Sequence, residues 1–179
     1  MLPNWFATQA HYFERNVPQG PLRVLQIGAY TGDATQWLLD NREIEYVYDV
    51  DTWEGSNETA HESISFSEVE RVWDSRFRSN EKVKKFPMDS DRFFYSWNSP
   101  MFNFIYIDGD HTALQTCLDG LNGFRLLEPG GVMAFDDYGW VDNPSEFLRP
   151  KRGIEGFLSV CVGEYKLIEM GYQVWVQKC

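Results

Sequence analysis

Acidic side chains and one histidine directly follow two short apolar segments of the chain, 102–107 and 131–135. They are Asp108, Asp110, His111, Asp136 and Asp137. Where neighbouring parallel strands end, such carboxylates lie close together and repel one another unless a cation or a proton separates them. Carboxylate oxygens suit Mg²⁺, Mn²⁺ or Ca²⁺ rather than zinc. The residues therefore indicate a cation or proton-transfer site, although Asp110 or His111 alone could instead cap a helix beginning near Thr112.

A second set of residues is suited to hold a nucleoside. Gly28 and Gly32 flank a turn after the apolar segment 22–27, where missing β-carbons let a ligand approach the backbone and the start of the next helix. Asp51 ends the next apolar segment, roughly twenty residues later, where a carboxylate accepts hydrogen bonds from ribose hydroxyls. Taken alone, the two glycines could belong to an ordinary turn, and Asp51 could be a solvated acid at a strand end. The turn lacks the middle glycine of the dinucleotide fingerprint, which disfavours NAD and FAD.

Apolar segments alternate with amphipathic ones along most of the chain. The strand-like segments are 22–27, 44–50, 102–107 and 131–135, and the helical ones are 32–41, 66–79, 90–97 and 112–127. This alternation predicts an α/β fold with a parallel sheet covered by helices on both faces. A helix at 153–162 and two strand-like segments, 165–170 and 172–178, follow. Only Gly171 separates the two segments, so they are predicted to form an antiparallel hairpin.

Length and composition limit the class of protein. The chain has 179 residues, 43% of them hydrophobic, which suits one domain with its own core. The 27 Asp and Glu outnumber the 16 Lys and Arg, and a formal net charge of −11 disfavours nucleic acid and membrane surfaces as partners. No apolar run reaches the length of a membrane span, no signal peptide is evident, and the three cysteines are expected to be reduced. These features predict a soluble, cytoplasmic protein.

Five short motifs occur in order along the chain. They are Gly28-x-x-x-Gly32, Asp51-Thr-Trp-Glu-Gly, Ile107-Asp-Gly-Asp-His, Leu127-Glu-Pro-Gly-Gly-Val and Phe135-Asp-Asp-Tyr. From about residue 22 onward the chain thereby resembles class I S-adenosylmethionine-dependent methyltransferases. It is most similar to the small O-methyltransferase branch with the macrocin and aminocoumarin sugar O-methyltransferases. The resemblance implies a Rossmann-like sheet of seven strands in the order 3-2-1-4-5-7-6, mostly parallel with the last strand antiparallel. Residues 1–21 would form a helical cap on a core of residues 22–179, within a single domain.

The resemblance also assigns roles to residues. Those assigned to S-adenosylmethionine are Gln26, Gly28, Ala29, Tyr30, Gly32, Asp51, Thr52, Trp53, Asp89, Ser90 and Asp108. In the metal-dependent sugar enzymes the matching acids bind a divalent ion such as Mg²⁺, and here they are Asp108, Asp136 and Asp137. Either Asp110 or His111 is the base, and a histidine base would suit a metal-free site. Gln26 replaces the usual acid and brings no charge to the cofactor's ammonium group.

The expected reaction is methylation of a hydroxyl on a small molecule or a carbohydrate. The sequence leaves open whether the protein is a monomer or a homodimer. Trp140 is expected to face the acceptor because it follows Asp137 by three residues. The basic segment 149–152 is either a solvated loop or a contact for a phosphorylated acceptor. Aromatic residues of the N-terminal segment are expected to pack in the core, and a platform for a sugar is the alternative. The alternatives are methylation of a nitrogen or a protein, and a nucleoside-binding module without turnover; an NAD-dependent oxidoreductase is disfavoured.

Overall fold

The computed structural model describes residues 2–56, 61–97, 101–141 and 145–179, and in these ranges seven strands form one sheet. The strands are β1 (Leu22–Ile27), β2 (Ile44–Asp51), β3 (Val83–Pro87), β4 (Phe102–Ile107), β5 (Leu127–Phe135), β6 (Tyr165–Met170) and β7 (Val174–Lys178). Their order is β3-β2-β1-β4-β5-β7-β6, and β7 is antiparallel to both of its neighbours while the other pairs are parallel. The predicted sheet order is confirmed.

Six α-helices of the described residues cover the sheet. They are α1 (Ala10–Asn16), α2 (Asp33–Asn41), α3 (Phe66–Phe77), α4 (Ser90–Tyr95), α5 (Ala113–Leu126) and α6 (Pro150–Val160). The helices predicted between residues 32 and 127 are present to within two residues. The predicted helix at 153–162 instead begins at Pro150, because proline's fixed φ and missing N–H suit the first turn of a helix.

Two apolar cores lie on opposite faces of the sheet. Successive strand side chains point to opposite faces, so Val24 packs with residues of α1, α2 and α3, whereas Leu25 packs with residues of α4, α5 and α6. Both residues are fully buried. Burial on both faces explains why the parallel strands are continuous apolar runs in the sequence.

The N-terminal segment is part of the first core. The Phe13 ring is fully buried and meets the rings of Phe104, Tyr106 and Trp175 edge-on, with centroids 4.9–5.8 Å apart. Core packing is thus confirmed for Phe13. Trp5 behaves differently, because 44% of it is exposed and it lies at the edge of a cavity described below.

The structure corrects two predicted boundaries at the end of the sheet. β5 begins at Leu127 instead of residue 131, because the segment after Leu127 forms a bulge in the strand, with Phe102 opposite Leu127 and Phe104 opposite Val132. The hairpin is present, but β7 begins at Val174 rather than at residue 172. Residues 171–173 therefore form its turn, in which the Gly171 N–H donates to the Gln173 carbonyl at 2.8 Å.

Two further expectations concern the whole chain. No helix in the described ranges is long and apolar enough to cross a membrane. Cys117, Cys161 and Cys179 are free thiols, as predicted.

Candidate active site

A cavity of about 560 Å³ opens at the carboxyl ends of β1 to β4. In an open sheet with parallel strands this edge is where ligands bind. The predicted site residues that line it are Gly28, Tyr30, Asp51, Thr52, Asp89, Ser90, Asp108, Asp110 and His111. The predicted residues outside its lining are Gln26, Ala29, Gly32, Trp53, Asp136 and Asp137. The structure thus brings together the nucleoside-type residues and the reactive acids predicted from separate parts of the chain.

The two glycines of the first turn are required by close packing. Gly28 has a φ of +85°, and a β-carbon there would lie 1.7 Å from the carbonyl oxygen of Asp108. The backbone after β1 therefore touches the backbone after β4. Gly32 has a φ of +81° and precedes α2, and a β-carbon there would lie 2.2 Å from the Phe77 ring. Gly28 thus forms part of the cavity wall, whereas Gly32 allows the start of α2 to pack against α3.

Asp51 joins the loops that follow β1 and β2. Its two carboxylate oxygens accept hydrogen bonds from the backbone N–H groups of Tyr30, at 2.8 Å, and Trp53, at 2.7 Å. Burial raises the pKa of Asp51, and these backbone hydrogen bonds oppose the rise. The carboxylate also lines the cavity, so it is placed to accept hydrogen bonds from a ligand.

Strained backbone is concentrated around the cavity. Among the described residues, three non-glycine residues have positive φ: Tyr30, Trp53 and Asp137. Such conformations cost roughly 1–3 kcal/mol each and are found preferentially at functional sites. The Trp53 indole lies outside the cavity lining, where it meets the Trp73 ring edge-to-face and donates to the Tyr30 carbonyl at 2.9 Å. Its side chain thus supports the turn from behind.

A buried polar chain runs under the glycine turn. Thr35 Oγ1 lies 2.9 Å from Gln26 Oε1 and 2.9 Å from both Asp49 carboxyl oxygens. Gln26 Nε2 donates to the Gly28 carbonyl, so Gln26 Oε1 must face Thr35 as an acceptor. Thr35 has one hydrogen to donate. It can satisfy Gln26 only if a protonated Asp49 carboxyl donates to Thr35, so the contacts imply a neutral Asp49.

The sequence pattern did not predict a role for Asp49. It is fully buried, and the Trp73 indole N–H donates to it at 2.8 Å. Burial raises the pKa of Asp49 to about 7, against the opposing hydrogen bond from the Trp73 indole. An acid inside an otherwise apolar strand segment was the available signal.

The reactive cluster consists of Asp108, His111 and Asp137. His111 Nε2 lies 2.9 Å from Asp137 Oδ2 and 3.7 Å from Asp108 Oδ1, and one ligand atom from each residue lies within 4.8 Å of the others. Burial raises the pKa of Asp108 to about 6, against the opposing hydrogen bond from His111. The Trp140 ring covers this group, with its centroid 5.3 Å from that of His111.

Asp136 lies beside this cluster, and hydrogen bonds engage both of its carboxyl oxygens. Its Oδ2 accepts a short hydrogen bond from the Tyr106 hydroxyl, and its Oδ1 accepts from the Asp137 backbone N–H at 2.8 Å. Burial and the nearby Asp108 and Asp137 carboxylates raise the pKa of Asp136 well above its usual range. Among the described residues, the three that could together hold a metal ion are therefore Asp108, His111 and Asp137. His111 takes the place predicted for Asp136.

The hairpin turn supports the cluster. The Tyr172 hydroxyl donates to Asp137 Oδ1 at 2.8 Å, so Asp137 is held by Tyr172 on one oxygen and faces His111 with the other. The Tyr172 backbone N–H donates in turn to the Tyr12 hydroxyl at 2.9 Å. The sequence showed the hairpin but held no signal that its turn would reach Asp137.

Two further predicted residues, Asp89 and Ser90, lie at the β3 side of the cavity. Asp89 caps α4 by accepting from the Arg92 N–H at 2.8 Å. The Ser90 hydroxyl donates to Asp119 at 2.6 Å, and Gln115 donates to the same Asp119 oxygen at 3.0 Å. The Ser90 side chain is therefore held in place at the cavity wall.

Asp110 differs from His111 in its surroundings. It lines the cavity but is exposed, and its Oδ1 accepts from the Thr112 backbone N–H at 2.7 Å. The N-cap of α5 is Thr112, whose hydroxyl accepts from the Gln115 N–H at 3.3 Å, so Asp110 contacts the cap residue and does not itself cap the helix. His111 instead points toward two acids.

The family model for a methyltransferase domain matches residues 25–138. The chain belongs to this family. No curated protein sequence matches this methyltransferase-domain chain. The match covers the glycine turn, the acid after β2 and the cluster after β4 and β5, which are the parts that form the cavity.

Solved structures with the same fold differ in what their names say they methylate or bind. An O-methyltransferase from Bacillus cereus in complex with SAH has 20% identity and a TM-score of 0.61, over 88% of this chain and 74% of the other. Aeropyrum pernix fibrillarin with bound S-adenosyl-L-methionine has 15% identity and a TM-score of 0.61, over 96% and 73%. The N-methyltransferase NodS from Bradyrhizobium japonicum has 14% identity and a TM-score of 0.63, over 98% and 97%. Because the three identities are 20% or lower, these similarities show the fold alone.

Replacement of Gly28 by alanine tests the contact between the β1 and β4 loops. We expect Gly28→Ala to lower the free energy of unfolding by at least about 2 kcal/mol more than Gly130→Ala. Gly130 has a similar φ of +79° but nothing within 4 Å of its β-carbon position, so its variant reports backbone strain alone. Urea unfolding measures both. Equal losses would show that the loops do not touch at Gly28.

The neutral state of Asp49 predicts a pH dependence of stability. Because its pKa is raised to about 7, folded protein keeps a proton that unfolded protein loses near pH 4. Its stabilising contribution is complete in acid and declines as the pH rises from about 4 through about 7. Asp49→Asn lacks this decline, so relative to wild type it should gain roughly 1–4 kcal/mol between pH 5 and pH 8 in urea unfolding. A pH-independent difference would contradict a neutral Asp49.

Proposed function

We propose that the protein transfers a methyl group from S-adenosylmethionine to a hydroxyl oxygen of a small-molecule or carbohydrate acceptor. The observation that carries this proposal is the placement of His111, oriented by Asp137, in the same cavity as the glycine turn and Asp51. A nucleoside-type site and an oriented proton acceptor are the two parts that O-methylation requires. Membership of the methyltransferase-domain family supports the cofactor half of the proposal.

The residues present fit S-adenosylmethionine. Gly28 has no β-carbon to block a ligand at the point where its backbone lines the cavity, and Asp51 presents a carboxylate to the same cavity. Tyr30 lines the cavity, and its hydroxyl is shielded from solvent and has no hydrogen-bond partner among the described residues. A buried polar atom without a partner costs roughly 1–3 kcal/mol, so a ligand that bonds to it is favoured.

We assign Gly28, Tyr30 and Asp51 to the cofactor, with Asp51 on the ribose and Asp89 and Ser90 toward the adenine. When bound, S-adenosylmethionine supplies an electrophilic methyl group on a positively charged sulfur. The acids that line the cavity, Asp51, Asp89, Asp91, Asp108 and Asp110, give it a negative potential. A cavity of that sign attracts a cationic ligand.

We assign His111 as the general base for the acceptor hydroxyl. A hydroxyl is a weak nucleophile until its proton is removed, and histidine has the unperturbed pKa best suited to that transfer near neutral pH. Asp137 orients the imidazole, and Tyr172 orients Asp137. The Trp140 ring beside His111 gives the acceptor a flat apolar wall to pack against.

The same three residues fit a divalent cation, which is the alternative for this cluster. Asp108, His111 and Asp137 would hold the ion, and its charge would lower the pKa of a bound hydroxyl. A donor set with one imidazole suits Mn²⁺ or Zn²⁺ better than Mg²⁺. His111 would then be a ligand, and Asp110 would be the nearest base at the cavity wall.

The cofactor assignment is tested by Asp51→Asn. We expect wild type to bind S-adenosylmethionine in titration calorimetry and Asp51→Asn to bind at least about 10-fold more weakly, because hydrogen bonds to a charged group contribute roughly 1.5–3 kcal/mol. Asp40→Asn removes the same charge from an exposed position on α2 and should bind like wild type. A wild type that does not bind the cofactor would refute the proposed function.

The base assignment is tested by His111→Gln. Product formation with panels of hydroxylated sugars and catechols should fall about 10²–10⁴-fold, with unchanged cofactor affinity. His11→Gln, at an exposed site on α1, is the matched control. Activity that survives EDTA supports a histidine base, whereas activity lost in EDTA and restored by Mn²⁺ supports the cation alternative. Product from amines alone would favour N-methylation, and bound cofactor without any product would favour a binding module.

A further inference from the structure

Asp119 is a buried acid that the proposed reaction does not use. It lies in α5 and is 1% exposed. Its Oδ1 accepts from the Ser90 hydroxyl at 2.6 Å and from the Gln115 amide at 3.0 Å. Burial raises the pKa of Asp119 to about 6, against these opposing hydrogen bonds, so above that pH the carboxylate only accepts hydrogen bonds. Ser90 and Gln115 are therefore held as its donors.

These contacts determine which end of the Gln115 amide is the donor. The amide atom next to Asp119 also lies 3.2 Å from Asp91 Oδ1 and 3.2 Å from Ser90 Oγ, whose hydrogen is given to Asp119. Three acceptors around one atom require the amide nitrogen there, so the carbonyl oxygen lies on the other side. No described residue donates to that oxygen. Because Gln115 lines the cavity, its carbonyl oxygen is open to a ligand.

The cavity wall on this side consequently presents hydrogen-bond acceptors. Gln115 contributes its carbonyl oxygen, and Asp89 and Asp91 contribute carboxylates beside it. A ligand with an amino group at this wall finds acceptors for its hydrogens. A ligand with a carbonyl oxygen in the same place would face the Gln115 oxygen with no hydrogen between them, which leaves both atoms unsatisfied. Adenine has the amino group at its position 6, and hypoxanthine has the oxygen.

We propose that Gln115 accepts a hydrogen bond from the 6-amino group of the cofactor's adenine, and that Asp119 is the positioning residue that holds the Gln115 amide for this contact. This inference rests on the proposed function, since it concerns the base of the cofactor assigned there. It adds α5 to the adenine side of the site, where the assigned residues, Asp89 and Ser90, follow β3. A site built to bond an N–H group rejects an analogue that lacks it.

S-adenosylhomocysteine and S-inosylhomocysteine test this selectivity, because they differ in whether the purine carries the amino group or the oxygen. We expect wild type to bind the adenine compound at least about 10-fold more tightly in titration calorimetry. Equal binding of the two compounds would overturn this inference alone. A wild type that binds neither compound would refute the proposed function, and this inference with it.

Gln115→Met tests the contact itself, because methionine has a similar length and no carbonyl oxygen. The preference for the adenine compound should fall below threefold, through weaker binding of that compound. Gln19→Met makes the same change at an exposed residue outside the cavity and should keep the full preference. A full preference in Gln115→Met would overturn the proposal and leave Asp89 as the acceptor. Gln115→Ala replaces this variant if it does not fold.

Asp119 is tested by two substitutions of similar size. Asp119→Leu removes the acceptor for Ser90 and Gln115, so the preference for the adenine compound should fall at least threefold. Asp119→Asn keeps a carbonyl oxygen for both donors and should retain the preference within twofold of wild type. A merely structural role would weaken both compounds equally, and an unchanged preference in Asp119→Leu would therefore overturn the positioning role. Asp119→Ala replaces the leucine variant if that does not fold.

Discussion

The Asp51 carboxylate is the constraint on which the cavity depends. It holds the N–H groups of Tyr30 and Trp53, two residues in left-handed conformations that side chains disfavour. The Trp53 indole returns a hydrogen bond to the Tyr30 carbonyl, which closes the connection between the two loops. Trp5 packs against the Tyr30 ring from the N-terminal segment, with centroids 4.8 Å apart. Asp51 thus fixes two loops relative to each other, and the N-terminal segment packs on one of them through Trp5.

Much of the fold could be predicted because its signals are local. The apolar runs and the short link at Gly171 are visible in the sequence, and they predict a parallel sheet that ends in an antiparallel hairpin. The order of the seven strands was implied by the resemblance to methyltransferases. The glycine turn, Asp51 and the acids after β4 and β5 were predicted for the same reason. In an open parallel sheet the carboxyl ends of the strands lie along one edge, so residues that follow different strands can be predicted to meet there.

The partners of those residues could not be predicted, because they depend on contacts distant in sequence. Tyr106 binds Asp136 and thereby removes it from the cluster in which three acids were expected. Asp49 pairs with Thr35 and Trp73 below the turn. Both acids have raised pKa values, so the formal charge of −11 overstates the negative charge of the folded protein near neutral pH.

Tyr172 connects two distant parts of the chain to the cluster. Its N–H donates to the Tyr12 hydroxyl, 160 positions earlier in the sequence, and its own hydroxyl donates to Asp137. Asp137 in turn lies 2.9 Å from His111 Nε2. Neither Tyr12 nor Tyr172 lines the cavity of about 560 Å³. A substitution in α1 or in the hairpin turn can therefore change the orientation of His111 while every side chain of the cavity lining stays the same.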